Sequence, residues 1–398
     1  MQKAIRGYNQ DNIQDMNRTL LLHILQKEKK CARITLANQS GLKQATVTNI
    51  INDFLEWKLV REVGFLPGNK GRRSIALEIN KDNYLVAGIR IARRDYSVGV
   101  FNLMGEAVSV KRGSISSKEE VSQVFQRIMR EMEEQIKAYP RRRVLSMGVA
   151  IPGPYSYREG RIQLMTSMEG WSKIHLREEL QRRFSIPICI EQDANAAAMA
   201  QYWYRDDKTE PDVLVYIAAG QGVGAGIVSK GELLVGYNGT AGEIGHTCID
   251  IHGPKCSCGN RGCLENYCSS IAFTRAVNEK LQPKKELHFQ DAALMVKEEN
   301  PEAAQLFFEA CDYLAIGVVN VINTFNPQVV VIGDEMAHIL PERMLDRIIT
   351  RVKERVLPSI FKTTQIRMSM VEHDSMVHGA AIVAIRTIFE RPEFYLVK

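Results

Sequence analysis

The chain has 398 residues, enough for two to four domains of ordinary size. Hydrophobic residues make up 45% and charged residues 25%, which excludes a chain dominated by disorder or by collagen repeats. The formal charge is +6, and all of it lies early: residues 1–80 hold 13 Lys or Arg against 7 Asp or Glu, while the remaining 318 hold 39 of each. Such asymmetry points to a nucleic-acid-facing module on a neutral body, although a basic tail on an enzyme gives the same sum. No apolar run approaches the ~18 residues needed to span a bilayer. The first twenty residues carry Lys3, Arg6, Asp11, Asp15 and Arg18 in place of a secretory core, so a cytoplasmic location and no membrane partner are expected.

In chain order, residues 12–25 form a first helix, with Ile13, Met16, Leu20, Leu21, Ile24 and Leu25 spaced to make one buried stripe. A short helix over 34–39 stops at Ser40-Gly41, and a third runs from Gln44 to about Lys58. On the third, Val47, Ile50, Ile51, Phe54 and Leu55 face inward, and Gln44, Thr46, Thr48, Asn49 and Asn52 face outward. Small Ala37 and Gly41 with inward Val47 and Ile50 are spaced as in helix-turn-helix proteins; a generic three-helix bundle is the alternative. Two strands over 59–63 and 74–79 then enclose a glycine-bearing tip with Lys70, Arg72 and Arg73, which makes the unit a winged helix-turn-helix. The wing arginines suit phosphates or a narrow minor groove, and Gln44, Thr46, Thr48 and Asn49 suit base edges or phosphates.

Beyond residue 80, strands alternate with helices, the sign of α/β layers. Strands are predicted over 85–91, 97–103, 145–151, 186–191, 213–218, 225–228 and 329–332. Helices are predicted over 118–139, 176–184, 194–204, 271–281, 301–323, 342–356 and 375–389. No low-complexity tract or short-period repeat appears.

Five of the eight cysteines fall between 248 and 268. His246 and Cys256-Ser257-Cys258-Gly259-Asn260-Arg261-Gly262-Cys263 offer the nitrogen and sulfur donors that zinc takes in tetrahedral geometry. Thiolates this close in a reducing compartment are expected to share a cation. Cys248 and Cys268 lie outside that motif and are expected as buried small hydrophobes. Three further segments carry polar groups: Gly242-Glu243-Ile244-Gly245-His246, Cys263-Leu264-Glu265 and Glu191-Gln192-Asp193-Ala194-Asn195.

These segments, with the wing ahead of them, resemble the ROK family of repressors and sugar kinases over nearly the whole chain, and the xylose-responsive repressors within it. The resemblance implies a winged helix-turn-helix domain (1–80) followed by a two-lobed actin-like, ribonuclease H-like ATPase fold. The small lobe would span 81–190, completed by the carboxyl-terminal helix of 375–398, and the large lobe 191–374. It also implies structural Zn2+ on His246, Cys256, Cys258 and Cys263, and sugar hydroxyls bound by Gln192, Asp193, Glu243, His246 and Glu265. Asp193 matches the kinase base, which in a sensor would accept a hydrogen bond.

Three departures qualify the match. Where ATP-using relatives place an Asp, two glycines and a Thr, this chain has Arg90-Ile91-Ala92-Arg93-Arg94, whose side chains block close backbone approach to phosphate. The glycine-rich Gly220-Gln221-Gly222-Val223-Gly224-Ala225-Gly226 survives, and reads equally as close strand packing. Before Trp171 the family's sugar-contacting Asn is replaced by Thr166-Ser167-Met168-Glu169-Gly170, and Gln192 stands where Asn is usual. The expected protein is a non-enzymatic, sugar-responsive repressor: a homodimer binds palindromic operator DNA and a monosaccharide between the lobes changes operator affinity. The alternatives are a sugar kinase with an added regulatory domain, or a repressor controlled by a protein or a metal.

Overall fold

The computed structural model describes residues 10–66, 74–116, 118–153, 155–156, 160–162, 170–205, 211–370 and 374–397. The amino-terminal module contains α1 (Gln10–Glu28), α2 (Arg33–Ser40), α3 (Gln44–Glu56), β1 (Val60–Leu66) and β2 (Ser74–Ile79). Gly41 closes α2 in the left-handed region at φ 70°, its N–H bonding to the Ala37 carbonyl. Val47, Ile50, Ile51 and Phe54 of α3 are buried, and β1 pairs antiparallel with β2. The tip with Lys70, Arg72 and Arg73 lies outside the described residues.

The stripe expected on the first helix needs correction. Leu21, Ile24 and Leu25 are buried, but Ile13, Met16 and Leu20 are 50%, 57% and 40% exposed. The inward face at this end of α1 is set instead by Arg18 and Thr19. Arg18 bonds Asp53 of α3 at 2.8 Å and Glu393 at 2.7 Å, and Thr19 donates to the Phe389 carbonyl at 3.0 Å. A helix turns by about 100° per residue, so anchoring positions 18 and 19 swings 13, 16 and 20 outward.

The body contains two sheets of the same strand order. In the small lobe, β3 (Tyr84–Ile91), β4 (Asp95–Phe101) and β5 (Ala107–Ser114) form an antiparallel meander, and β6 (Arg143–Ile151) and β9 (Ile188–Gln192) extend it in parallel from β3. The two-residue strands β7 (Tyr155–Ser156) and β8 (Arg161–Ile162) pair apart from it. In the large lobe, β10 (Val213–Ala219), β11 (Val223–Ser229) and β12 (Glu232–Leu233) meander, and β13 (Val329–Gly333) and β14 (Gln365–Met368) extend the sheet in parallel from β10. The order third-second-first-fourth-fifth recurs, an internal duplication without a sequence repeat.

The outer face of the small sheet is covered by α4 (Val121–Lys137) and α5 (Leu176–Arg183). The large sheet is covered by α7 (Glu265–Cys268), α8 (Ser270–Leu281), α9 (Phe289–Lys297), α10 (Pro301–Phe325) and α11 (Pro341–Lys353), and the one-turn α12 (Pro358–Phe361) leads from α11 into β14. Among the described residues α10 alone is long and apolar enough to cross a membrane; Phe307, Leu314, Val318 and Ile322 bury it in the large-lobe core.

Between the sheets lie α6 (Asp193–Trp203) on β10 and β11, and α13 (Ser375–Glu390) on β3 and β6, packed against each other. Their approach requires small residues. A Cβ on Gly379 would lie 1.9 Å from the Ala196 carbonyl oxygen, and one on Gly148 would lie 1.7 Å from that of Ala380. The far ends of this helix pair carry the amino-terminal module. His23 of α1 meets Trp203 and Phe389 edge-on, with ring centroids 6.3 and 6.0 Å apart, and α14 (Pro392–Leu396) supplies Glu393 to Arg18. Leu21, Leu25 and Phe54 therefore share one apolar core with Ala196, Ala380 and Phe389.

Candidate functional site

The near ends of the same two helices open on a cleft between the lobes. A cavity of about 100 Å³ there is lined by Arg93, Gln192, Asp193, Glu243, His246 and Glu265, among others. Thus the structure brings together all five residues predicted for sugar. Asp193 is the first residue of α6, and its carboxylate accepts the Ala194 amide at 2.6 Å. Burial raises its pKa against the opposing pull of that amide and of Arg90 and Arg93. Gln192 is buried and donates from Nε2 to the Gly239 carbonyl at 2.9 Å, so part of its amide is committed to the wall of the site. Glu243 is pushed up to about 7 by burial and by the charges of Asp193 and Glu265.

His246, Cys256, Cys258 and Cys263 form one cluster whose ligand atoms all lie within 4.8 Å of one another. Nδ1 of His246 is 3.6 Å from the Cys256 sulfur, which leaves Nε2 on the opposite side of the ring. Burial and the neighbouring thiols push Cys263 up to about 12, whereas the Asn260 backbone N–H lowers Cys258. Three such thiols cannot ionise side by side without a shared cation, and three sulfurs with one imidazole are a donor set that fits a soft divalent metal. The turn is tight: Gly262 has φ 62°, and a Cβ there would sit 1.7 Å from the Asp250 carbonyl oxygen. The Cys256 thiol also donates to Glu265 at 3.4 Å, tying the cluster to the cavity. Cys268 is buried as expected, but Cys248 is exposed. The backbone of Cys248 pairs with that of Cys263 in an isolated antiparallel β-bridge while both thiols stay free, and only the Cys263 side chain is buried.

A second group of charges spans the cleft. Arg90, at the end of β3, hydrogen-bonds Asp95 and lies 3.5 Å from Asp374, the residue that caps α13. Burial works against its charge, but Asp374, Asp95, Asp334 and Asp193 outweigh that and raise its pKa. Asp334 follows β13 at φ 76°, unusual for a residue with a Cβ, and its carboxylate occupies the space over Gly220, where a Cβ would lie 2.0 Å from Oδ2. Burial and Glu335 push Asp334 up to about 7. Arg93 donates from Nη1 to the Gln221 carbonyl at 2.9 Å, a direct bond between the two lobes. Sequence reasoning missed Asp334 and Asp374, since nothing local to either marks a partner for Arg90.

On α3, Gln44, Thr48 and Asn49 are exposed and Thr46 is half-buried; the Thr48 hydroxyl donates to the Gln44 carbonyl at 2.8 Å. Lys70, Arg72, Arg73 and the stretch Thr166 to Glu169 lie outside the described residues.

The ROK family model matches residues 86–387. A xylose repressor of Caldicellulosiruptor bescii is 27% identical, covering 97% of this chain and 99% of its own. The crystal structure of a ROK family transcriptional regulator, a homolog of the E. coli MLC protein, is 26% identical with a TM-score of 0.79, covering 96% of this chain and 97% of its own. A ROK hexokinase from Thermus thermophilus shares the fold of the body, with a TM-score of 0.64, 24% identity and coverage of 76% of this chain and 99% of its own.

Proposed function

The chain belongs to the ROK family, and from that premise we propose that it is a sugar-responsive, DNA-binding transcriptional repressor of carbohydrate-utilisation genes. The observation that carries this reading is mechanical. At one end α6 lines the ligand cleft with Asp193 and Ala194, and α13 is capped by Asp374, which faces Arg90 of the cleft wall; at the other end Trp203 and Phe389 meet His23 of the winged helix-turn-helix, and Glu393 of α14 pairs with Arg18. Full-length similarity to a xylose repressor and to a transcriptional regulator supports it.

The module of residues 1–80 presents Gln44, Thr46, Thr48 and Asn49 to the major groove and Lys70, Arg72 and Arg73 to the backbone or minor groove. The small lobe is 81–190 with 375–398, and the large lobe is 191–374. A homodimer places two modules on a palindromic operator. A monosaccharide hydrogen-bonds Gln192, Asp193, Glu243, His246 and Glu265. Zn2+ on His246, Cys256, Cys258 and Cys263 is structural: with all four positions filled by protein, it orders the loop that presents His246 and Glu265.

Phosphoryl transfer is not part of the function. Arg90 and Arg93 stand where the ATP-using members resembled by this sequence carry an Asp and a glycine, and the Arg90 guanidinium is tied to Asp95 and Asp374, so the turn lacks the bare backbone that a nucleotide phosphate would approach. Asp193 therefore accepts a hydrogen bond instead of serving as a base. The test is fluorescence anisotropy of the zinc-loaded chain with DNA selected from a random pool, titrated with monosaccharides. A sugar is expected to shift the DNA Kd about 5- to 150-fold without Mg-ATP. Firm DNA binding that no sugar alters would place the signal elsewhere, and sugar-dependent ADP release abolished by Asp193→Asn would restore the kinase.

A further inference from the structure

The first helix is oriented against the usual rule for a helix at a water-exposed surface. Arg18 faces inward, buried with Asp53 at 2.8 Å and Glu393 at 2.7 Å, while Ile13, Met16 and Leu20 are 50%, 57% and 40% exposed. Burying a guanidinium costs free energy that its carboxylates must offset, and turning three large apolar side chains to water forgoes their burial. The ion pairs fix this orientation, so rotation of α1 does not hide the apolar stripe. Its spacing, i, i+3 and i+7, is that of the narrow seam along which one helix packs on another.

We propose that on the operator the α1 helices of the two chains of a homodimer pack against each other through Ile13, Met16 and Leu20. This rests on the repressor reading and deepens it. The residues beside the seam, Asn12, Gln14 and Asn17, are uncharged, and the charged ones of the same stretch, Asp15 and Arg18, lie 3.9 Å from each other. A nucleic-acid surface or a lipid headgroup layer is met by exposed Lys or Arg, whereas between Asn12 and Leu20 the single such residue, Arg18, is buried. A second copy fits, because a two-fold contact brings the same flanks together, which uncharged residues permit. Three half-exposed side chains offer on the order of 300 Å² per copy, well below the ~800 Å² per partner of a stable interface. The contact therefore does not hold two chains together by itself; it acts where the operator has already brought the modules close and made the contact effectively intramolecular. Since Arg18 ties α1 to Asp53 of α3, pairing of the two α1 helices fixes the distance between the two α3 helices and selects one half-site spacing.

Fluorescence anisotropy on the full zinc-loaded chain would compare selected palindromic DNA with the same DNA carrying one scrambled half-site. The combined variant Ile13→Gln, Met16→Gln and Leu20→Gln is expected to bind the palindrome about 10- to 100-fold more weakly and the single half-site as well as the unsubstituted chain does. Met16→Cys should give a bismaleimide-linked dimer on the palindrome and none on the half-site DNA, above the background of the unsubstituted chain. A circular-dichroism melt of the DNA-free triple variant should match that of the unsubstituted chain. Full affinity of the triple variant for the palindrome overturns the proposal while leaving the repressor intact, as does an equal loss on both DNAs. A lower melting temperature also overturns it, since the stripe would then be covered within its own chain. An unsubstituted chain that binds the palindrome no better than the half-site removes the homodimeric repressor reading itself.

Discussion

The turn between β3 and β4 and the turn between β10 and β11 hold the same place in two sheets of the same strand order, yet their chemistry is opposite. The first presents Ala92, Arg93 and Arg94 after a largely buried Arg90; the second presents Gly220, Gln221 and Gly222. A glycine turn offers bare backbone to whatever approaches, while an arginine turn offers charge at a distance and denies the backbone. Here the two meet, with Arg93 bonded to the Gln221 carbonyl. The two turns, opposite in chemistry, thus join the lobes through one side-chain-to-backbone hydrogen bond of the protein's own.

The strongest way to break that comparison is Arg90→Ala. It leaves Asp374 and Asp95 without their cation in a largely buried position, and removing one partner of such a pair typically costs about 3 to 5 kcal/mol. Urea unfolding should show a lower midpoint; an unchanged one would mean the guanidinium does not hold the first turn. A second effect appears with pH. Asp334 sits at about 7 in the folded chain against 3.8 as a free group, so the folded state binds the extra proton. Its contribution is fully present below about pH 4, is lost as pH rises toward 7, and then levels off. Asp334→Asn should flatten that part of the stability profile, and an undiminished slope would assign it to Glu243. The smallest effect sharpens the contrast within the glycine turn itself. Gly220→Ala puts a Cβ 2.0 Å from the Asp334 carboxylate and should cost about 1 to 3 kcal/mol. Gly222→Ala, whose nearest neighbour is 3.4 Å away, should cost little in stability. Equal melting temperatures for the two variants would contradict the assigned packing.

What was legible in the sequence follows the range over which each feature is encoded. The third helix and the cysteine cluster depend on spacings of a few residues, and both formed where expected. The predicted strands are all present, but the two-residue strands β7, β8 and β12 and the longer β5 and β14 were missed. Of the longer two, the first is an edge strand with Lys111 and Arg112 exposed, and the second is only four residues long, so neither carries a strong apolar pattern. The duplicated strand order left no trace because it is a property of pairing between distant segments. For the same reason the cleft was only half visible. Asp193, Glu243 and Glu265 sit in motifs, whereas Asp374 reaches Ser97 across 277 residues and no local signal announces it. The first helix misled for a related reason: its periodicity was real, but contacts of Arg18 and Thr19 with the distant carboxyl-terminal helices chose which face is buried.

The cleft and the amino-terminal module are two ends of one packed unit, so ligands bound at the two ends must be linked. The direct measurement is the Kd of the effector sugar for the free zinc-loaded chain and for the same chain saturated with its selected operator. Linkage requires the two values to differ by the factor through which that sugar changes operator affinity, about 5- to 150-fold. Equal sugar affinities in the free and DNA-bound chain would contradict the account.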